Sequence, residues 1–498
     1  MPRTIPIFYS ALLLTGVNLL LRFVGTSFQV YISASLGAAG VGLLQLTMSV
    51  GSLAMVAGMA GIRTAAMYLT AEELGKKKPW NVTWVLSGCF LYSIVFSGSI
   101  SALLYGFAPR IAALWIGDVR TTEALRLFAA FLPVTCLCGV MTGYFTAANR
   151  IGTLAAVEVA EQACAMAVTM GALTCWAGSD PGRACQSVIL GSCLGAFLTL
   201  GCLVVLRLRE RADTSARIPV RSRLIRAAVP LALADVLKSG INTVENLMVP
   251  KRLALNPAVA SPLAAFGIVS GMVFPVLMFP ACILFGLAER LIPELARCAA
   301  AGSRQRISYL VRRSLKVAML YGLLLGGLLF LLAVPLCQRL YGNPEAGYYL
   351  RLYSLLVPML YCDAITDAMT KGLGQQKICV FYNILTSAMD VMFLYVLLPK
   401  YGMDGYFLSF LITHLINFSL SLRRLLKITG VNIPFYIPAL SCAGTILAVW
   451  CTSFIPKPCS QILAYPTLLC CLLYLMKVIR GEDFIWLTGL VKTKRALC

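Results

Sequence analysis

Two stretches of this chain place polar residues at helical spacing inside otherwise apolar sequence. Asn18, Arg22, Thr26 and Gln29 recur at steps of four, four and three, and Asp235, Lys238, Asn242 and Glu245 at steps of three, four and three. Coiled as helices, both stretches show one polar face carrying a cation. Arg63 stands in a further apolar run, and Glu158, Glu161 and Gln162 share one helical face. Cations held in apolar surroundings suit an anionic ligand, above all a phosphate or diphosphate that a guanidinium grips through two hydrogen bonds. The carboxyls suit proton or sodium coupling and equally suit pairing with Arg22 or Arg63. Asp363, Asp367 and Asp390 pose the same alternatives later in the chain, and polar glue between helices competes with function for every one of these residues. Other chemistry is poorly supplied. The single histidine, His414, argues against His-ligated zinc and Ser-His-Asp hydrolysis and reads as a neutral, hydrogen-bonded core residue. No GxxxxGK[ST] or GxGxxG motif occurs, and nineteen cysteines without a CxxC pair read as small buried hydrophobes. Neither a metal nor a cofactor is expected.

The elements that must position these residues follow from composition. The chain has 498 residues, 59% apolar and only 12% charged, with a mean hydropathy of +0.83. A water-soluble globule could not hide that much apolar surface. Apolar stretches long enough to cross about 30 Å of hydrocarbon as helices lie near 6–32, 42–70, 81–106, 122–147, 151–176, 184–206, 224–250, 263–288, 315–337, 348–372, 378–398, 405–424, 434–455 and 461–478. The expected fold is therefore all-α and polytopic, with about fourteen transmembrane helices. The formal charge of +22 is distributed as in membrane proteins, in short clusters between apolar runs, so nucleic acid is not an expected partner. A cytoplasmic N-terminus puts 29 basic residues on the inner segments and 8 on the outer ones, which places both termini in the cytoplasm. Leu125-Arg-Leu-Phe-Ala-Ala-Phe-Leu-Pro133 matches Leu350-Arg-Leu-Tyr-Ser-Leu-Leu-Val-Pro358 at an offset of 225. Six helices separate the two, an even number, so the halves share one orientation: two parallel six-helix repeats plus two C-terminal helices. The expected division is a lobe over 1–206, a basic cytoplasmic linker over 207–223, a second lobe over 224–426, and helices 13 and 14 with a basic tail over 427–498.

Several short stretches then carry a resemblance: Arg22-Phe-Val-Gly25 followed by Leu36-Gly-Ala-Ala-Gly-Val-Gly42; Ala60-Gly-Ile-Arg-Thr-Ala65 with Ala71-Glu-Glu73; Gly143-Tyr-Phe145 with Glu158 and Glu161-Gln162; and Leu291-Ile-Pro-Glu294. In this order they resemble the multidrug/oligosaccharidyl-lipid/polysaccharide flippase superfamily, within it the branch of the stage V sporulation protein B and the lipid II flippases. The resemblance implies a multi-pass protein of the bacterial cytoplasmic membrane, two lobes around a central cavity, and export of a lipid-linked glycan precursor by alternating access. It implies that Arg22 meets the lipid diphosphate. The chain departs from the lipid II flippases in having Phe28 where they carry a second arginine and no charge from Gly267 to Phe274; Arg63 and Lys238 are its own cations.

The expectation is thus a flippase for an undecaprenyl-diphosphate-type glycan lipid, a peptidoglycan or spore-cortex precursor among the options. Its cavity would be lined by Arg22, Asn18, Arg63, Lys238, Asn242 and Glu245. Glu158, Glu161 and Asp390 are the candidates for coupling to protons or sodium, and the protein would act as a monomer among membrane lipids. A cation-coupled multidrug antiporter of the same superfamily is the alternative, and a membrane-embedded transferase a third. The topology has a direct check. In a cysteine-depleted variant, a single cysteine placed within 207–223 should resist an impermeant thiol reagent in intact cells; labelling there would overturn the orientation.

Overall fold

The computed structural model describes residues 7–75, 79–178, 180–209, 221–432, 434 and 436–479. Among them every regular element is helical: α1 (Ile7–Met59), α2 (Ile62–Gly75), α3 (Val82–Arg110), α4 (Thr122–Ala147), α5 (Ile151–Ala172), α6 (Pro181–Leu208), α7 (Arg221–Leu253), α8 (Pro262–Gly267), α9 (Phe274–Met278), α10 (Cys282–Ala300), α11 (Arg304–Tyr341), α12 (Pro344–Ser354), α13 (Val357–Gly372), α14 (Gln376–Thr429), α15 (Tyr436–Ser453) and α16 (Pro458–Leu475). In hydrocarbon a backbone N–H or C=O has no water to bond, and only helices satisfy all of theirs within one segment.

Among the described residues nine helices are long and apolar enough to cross a membrane, or ten if the bent pair Pro262–Met278 and Cys282–Ala300 is one span. The difference from fourteen has physical causes. α1 and α14 each run beyond 50 residues, about 80 Å at 1.5 Å per residue, which is ample for two spans. Each is broken by a glycine in the left-handed region, Gly37 (φ 69°) and Gly402 (φ 58°). α7 fails on composition because it carries Asp235, Lys238, Glu245, Lys251 and Arg252. α12 and α13, at 11 and 16 residues, are each too short alone.

The repeat appears in three dimensions at the same offset of 225. Arg126 lies over the Tyr105 ring at 5.5 Å, and Arg351 over the Phe330 ring at 4.4 Å. Left-handed Gly117 (φ 85°) and Gly342 (φ 63°) end the helices before α4 and α12. Directly after them Asp118 accepts a hydrogen bond from the Arg120 backbone N–H (3.0 Å) and Asn343 from that of Glu345 (2.9 Å). In both halves, then, a left-handed glycine stops one helix and an Asx side chain caps the next. The Arg120 guanidinium, bonded through two nitrogens to Asp118, also holds that carboxyl below the usual carboxylate range.

Contacts divide the chain into two compact units, Met1–Met272 with Ser387–Tyr406, and Val273–Thr386 with Phe407–Cys498. This division groups α7 with the helices that precede it, unlike the chain-order lobes. Thr243 donates to the Ser49 carbonyl (3.1 Å) and Asn246 to the Ser49 hydroxyl (3.0 Å). Leu224 and Ala228 pack into one core with Ile62, Val85, Phe145 and Leu203. In the first unit α1 and α8 approach backbone to backbone: a Cβ on Gly267 would run into Ala38 and Gly42 of α1. Ser33 donates across the same seam to the Gly271 carbonyl (3.0 Å). Small residues give helices in lipid the van der Waals contact that replaces a hydrophobic drive. The second unit is pinned by tyrosines whose hydroxyls donate to backbone carbonyls, buried Tyr361 to Leu277 (3.0 Å), half-buried Tyr321 to Pro280 (2.9 Å) and buried Tyr465 to Leu323 (2.9 Å).

The seam makes a stability prediction. Gly267→Ala should cost about 1–3 kcal/mol through overpacking and lower the unfolding midpoint of the purified protein. Gly98→Ala, where a Cβ meets nothing within 4 Å, should leave the midpoint unchanged or raise it.

Candidate transport sites within each unit

In the first unit α2, α5 and α6 gather the charges that the sequence singled out. Gly143 of α4 has room for no Cβ because the Arg63 carbonyl lies against it, so α2 sits hard on α4. The Arg63 side chain is exposed and acts as an opposite charge on half-buried Glu158, on which Glu161 acts as a like charge. Glu161 accepts a hydrogen bond from Thr199 of α6 (2.7 Å), and the Gln162 amide lies beside Gly25 of α1. The chain thus brings together Arg63, Glu158, Glu161 and Gln162. Gln29, on the polar face of α1, keeps a buried amide nitrogen without a hydrogen-bond partner. α1 runs through Asn18 and Arg22, but those two side chains lie outside the described residues.

The face of α7 divides along its length. Asp235, Lys238 and Asn242 are exposed. Glu245, one turn further on, hydrogen-bonds the buried carboxyl of Asp390 on α14, and buried Tyr406 closes the same pocket of charge. Two carboxyls can share a hydrogen bond only while one carries a proton; ionised together they need a cation between them. Sequence reading had put Glu245 with the cavity residues and Asp390 with Glu158 and Glu161. Their partnership spans 145 positions, and no local spacing announces it.

In the second unit, a cavity of about 1130 Å³ lies between α11, α13, α14 and α15, walled by apolar residues such as Leu323, Met359, Phe418 and Ile446. Cations stand on its lining, Arg312 and Lys316 near the start of α11 and Arg351 on α12. Elsewhere in this unit Asp363 accepts a hydrogen bond from the Asn417 amide (3.0 Å), and Asp367 is paired with Lys371 (2.6 Å). The His414 ring stacks on Phe410 with centroids 3.8 Å apart and its Nδ1 lies 3.0 Å from the Phe410 carbonyl. The ring is half-buried. Among the described residues no group of three or more His, Cys, Asp or Glu could hold a metal ion.

A family model described as polysaccharide biosynthesis protein matches residues 35–258, and the MatE model matches residues 230–396. Stage V sporulation protein B of Bacillus subtilis (strain 168) is 21% identical over 458 residues, 90% of this chain and 88% of that protein. Along most of its length the chain is therefore similar to members of the multidrug/oligosaccharidyl-lipid/polysaccharide flippase superfamily. Lipid II flippase MurJ in an inward closed conformation has the same fold, with a TM-score of 0.73 at 13% identity over 94% of this chain and 100% of that one. An inward-facing multidrug resistance MATE family transporter of the MOP superfamily follows with a TM-score of 0.65 at 13% identity, covering 84% and 100%. The described residues thus form a multi-span helical protein with the two-lobe fold of these transporters.

The Glu245–Asp390 pair can be tested by what replaces the shared proton. Asp390→Asn supplies a permanent donor and should hold the unfolding midpoint near that of the parent. Asp390→Leu takes the partner from half-buried Glu245 and should cost about 1–3 kcal/mol. Equal losses in the two variants would show that the carboxyl–carboxyl bond does not organise this region.

Proposed function

We propose that the protein is an exporter of a lipid-linked, undecaprenyl-diphosphate-type oligosaccharide or peptidoglycan precursor, moved by alternating access of two lobes. The observation that carries the reading is that two cations set in apolar stretches keep their side chains exposed, Arg63 on α2 and Lys238 on α7. A cation within hydrocarbon costs about 2.5–3.5 kcal/mol on insertion scales unless something anionic or aqueous meets it. A diphosphate lipid supplies the anion, and its long apolar tail suits a cavity walled like that of the second unit. Lipid II flippase MurJ, by its name, points to the same cargo class, and stage V sporulation protein B, by its name, to a role in sporulation. In this reading Arg22, Asn18, Arg63, Lys238 and Asn242 bind the head group. Glu245 with Asp390 holds a proton or sodium ion whose differing affinity in the two states biases the cycle. Glu158 steadies Arg63, and Glu161 braces α5 on α6. The chain-order lobes 1–206 and 224–426 are the moving bodies, the 207–223 linker and both termini lie in the cytoplasm of a bacterial cell, and the working unit is a monomer.

The MatE match over residues 230–396 favours a second reading, a cation-coupled drug antiporter. The two separate in reconstituted vesicles offered a polyprenyl-diphosphate sugar or a cationic drug, with pH and sodium gradients set independently. Arg22→Ala should abolish movement of the diphosphate lipid at normal protein abundance, and Arg22→Lys, which keeps charge without the fork, should retain part of it. Drug movement unaffected by Arg22→Ala, with no movement of the diphosphate lipid in the parent, would decide for the antiporter.

A further inference from the structure

The end of α2 and the start of α7 meet in a charge cluster outside the membrane-depth sites. The Arg223 guanidinium lies 2.7 Å from Glu72 and 2.9 Å from Glu73. Glu73 is only 3% exposed and also accepts a hydrogen bond from Asn81 (2.8 Å). Two residues along, Arg207 at the end of α6 donates to the Thr83 hydroxyl (3.2 Å) and stacks over Tyr144 (5.1 Å). Arg223 is therefore fastened to the end of α2, and Arg207 to the start of α3 and to α4. Further along, five residues after Arg223 and eleven before Glu72, the chain entering α2 touches α7 backbone to backbone, since a Cβ on Gly61 would sit 2.5 Å from the Ala228 carbonyl. Span two breaks at this point: Ala60 (φ 41°) and Gly61 (φ 70°) are both left-handed, so α2 is a piece separate from α1. A non-glycine residue in that region is strained, and such strain collects where elements move.

The seams along this span differ in chemistry. The one between α1 and α8 is glycine against backbone plus the Ser33 hydroxyl. The one between α2 and α7 adds three charged groups.

We propose that Arg223 with Glu72 and Glu73 is a latch that shuts the cleft between α2 and α7, released each time the transporter opens at its basic end. The left-handed Ala60–Gly61 joint lets α2 move as a unit when it releases. Closure is then held at this end by an ion cluster that the α1–α8 seam lacks, so the resting protein favours opening at the opposite end. Salt acts on the two ends unequally. Arg223 and Glu72 are each about a third exposed, and ions shorten the reach of such charges from about 8 Å to about 3 Å between physiological and 1 M ionic strength.

Spin-label distances between Tyr68 on α2 and Ile225 on α7, both exposed, test the latch without any cargo. Ketone-bearing unnatural residues should carry the labels, because nineteen native cysteines compete for thiol reagents. The parent should give mainly one short distance. Arg223→Gln should raise a second, longer population about threefold to tenfold, Arg223→Glu should raise it further, and Arg223→Lys should stay near the parent. Raising salt to 1 M should lengthen the parent's distances and leave Arg223→Gln unchanged. A single short distance in both neutralised and reversed variants, each still eluting as a monodisperse protein, would make the cluster a permanent brace and overturn the latch. Since no step requires diphosphate cargo, the result is independent of the proposed substrate.

Discussion

Hydrocarbon offers a polar atom no partner except another part of the protein, and that absence organises this molecule. It restricts the described chain to helices, which bond their own backbones. It removes the usual drive for helices to associate, so that glycine seams and tyrosine hydroxyls do the joining. And it makes each charge at depth conspicuous. Glu161 has Thr199, Glu245 has Asp390, Asp363 has Asn417, and Asp367 has Lys371. Against that background exposed Lys238, and exposed Arg63 with half-buried Glu158 acting on it, stand out as charges still open to a ligand.

The sequence made the class of fold legible because the relevant signal is long and redundant. A run of twenty apolar residues survives any one substitution, and the count of basic residues sums over the chain. It was less able to place helix ends. Two merged helices broken at Gly37 and Gly402, and the short α12 and α13, depend on single glycines and on turns that hydropathy averages over. The repeat was visible through one arginine and one proline, whereas the paired glycine–Asx turn at 117–118 and 342–343 passed unread because its two halves use different Asx residues.

The site was legible by residue type and not by partnership. Helical spacing put Glu158, Glu161 and Gln162 on one face, and the fold keeps them together. It could not join Glu245 to Asp390, or Arg223 to Glu72 and Glu73, because contacts between distant helices leave no periodic trace. The same limit hid the apolar cavity of the second unit. Its walls come from five helices, most of which read simply as lipid-facing.

The glycine–Asx turn has a consequence for how such a chain can diverge. Within each half, the Arg–aromatic stack lies 21 positions apart, Tyr105 to Arg126 and Phe330 to Arg351, with the turn between. A single inserted or deleted residue in that interval would rotate the following helix by about 100° relative to the one before it, carrying the arginine off the ring and the apolar side of the helix away from its neighbour. Substitutions could accumulate freely in both copies after an ancestral duplication, but their lengths here could not drift apart. The two halves are thus free to acquire different chemistry, acids and cations in one and an apolar cavity in the other, while sharing a ruler that neither can re-mark alone.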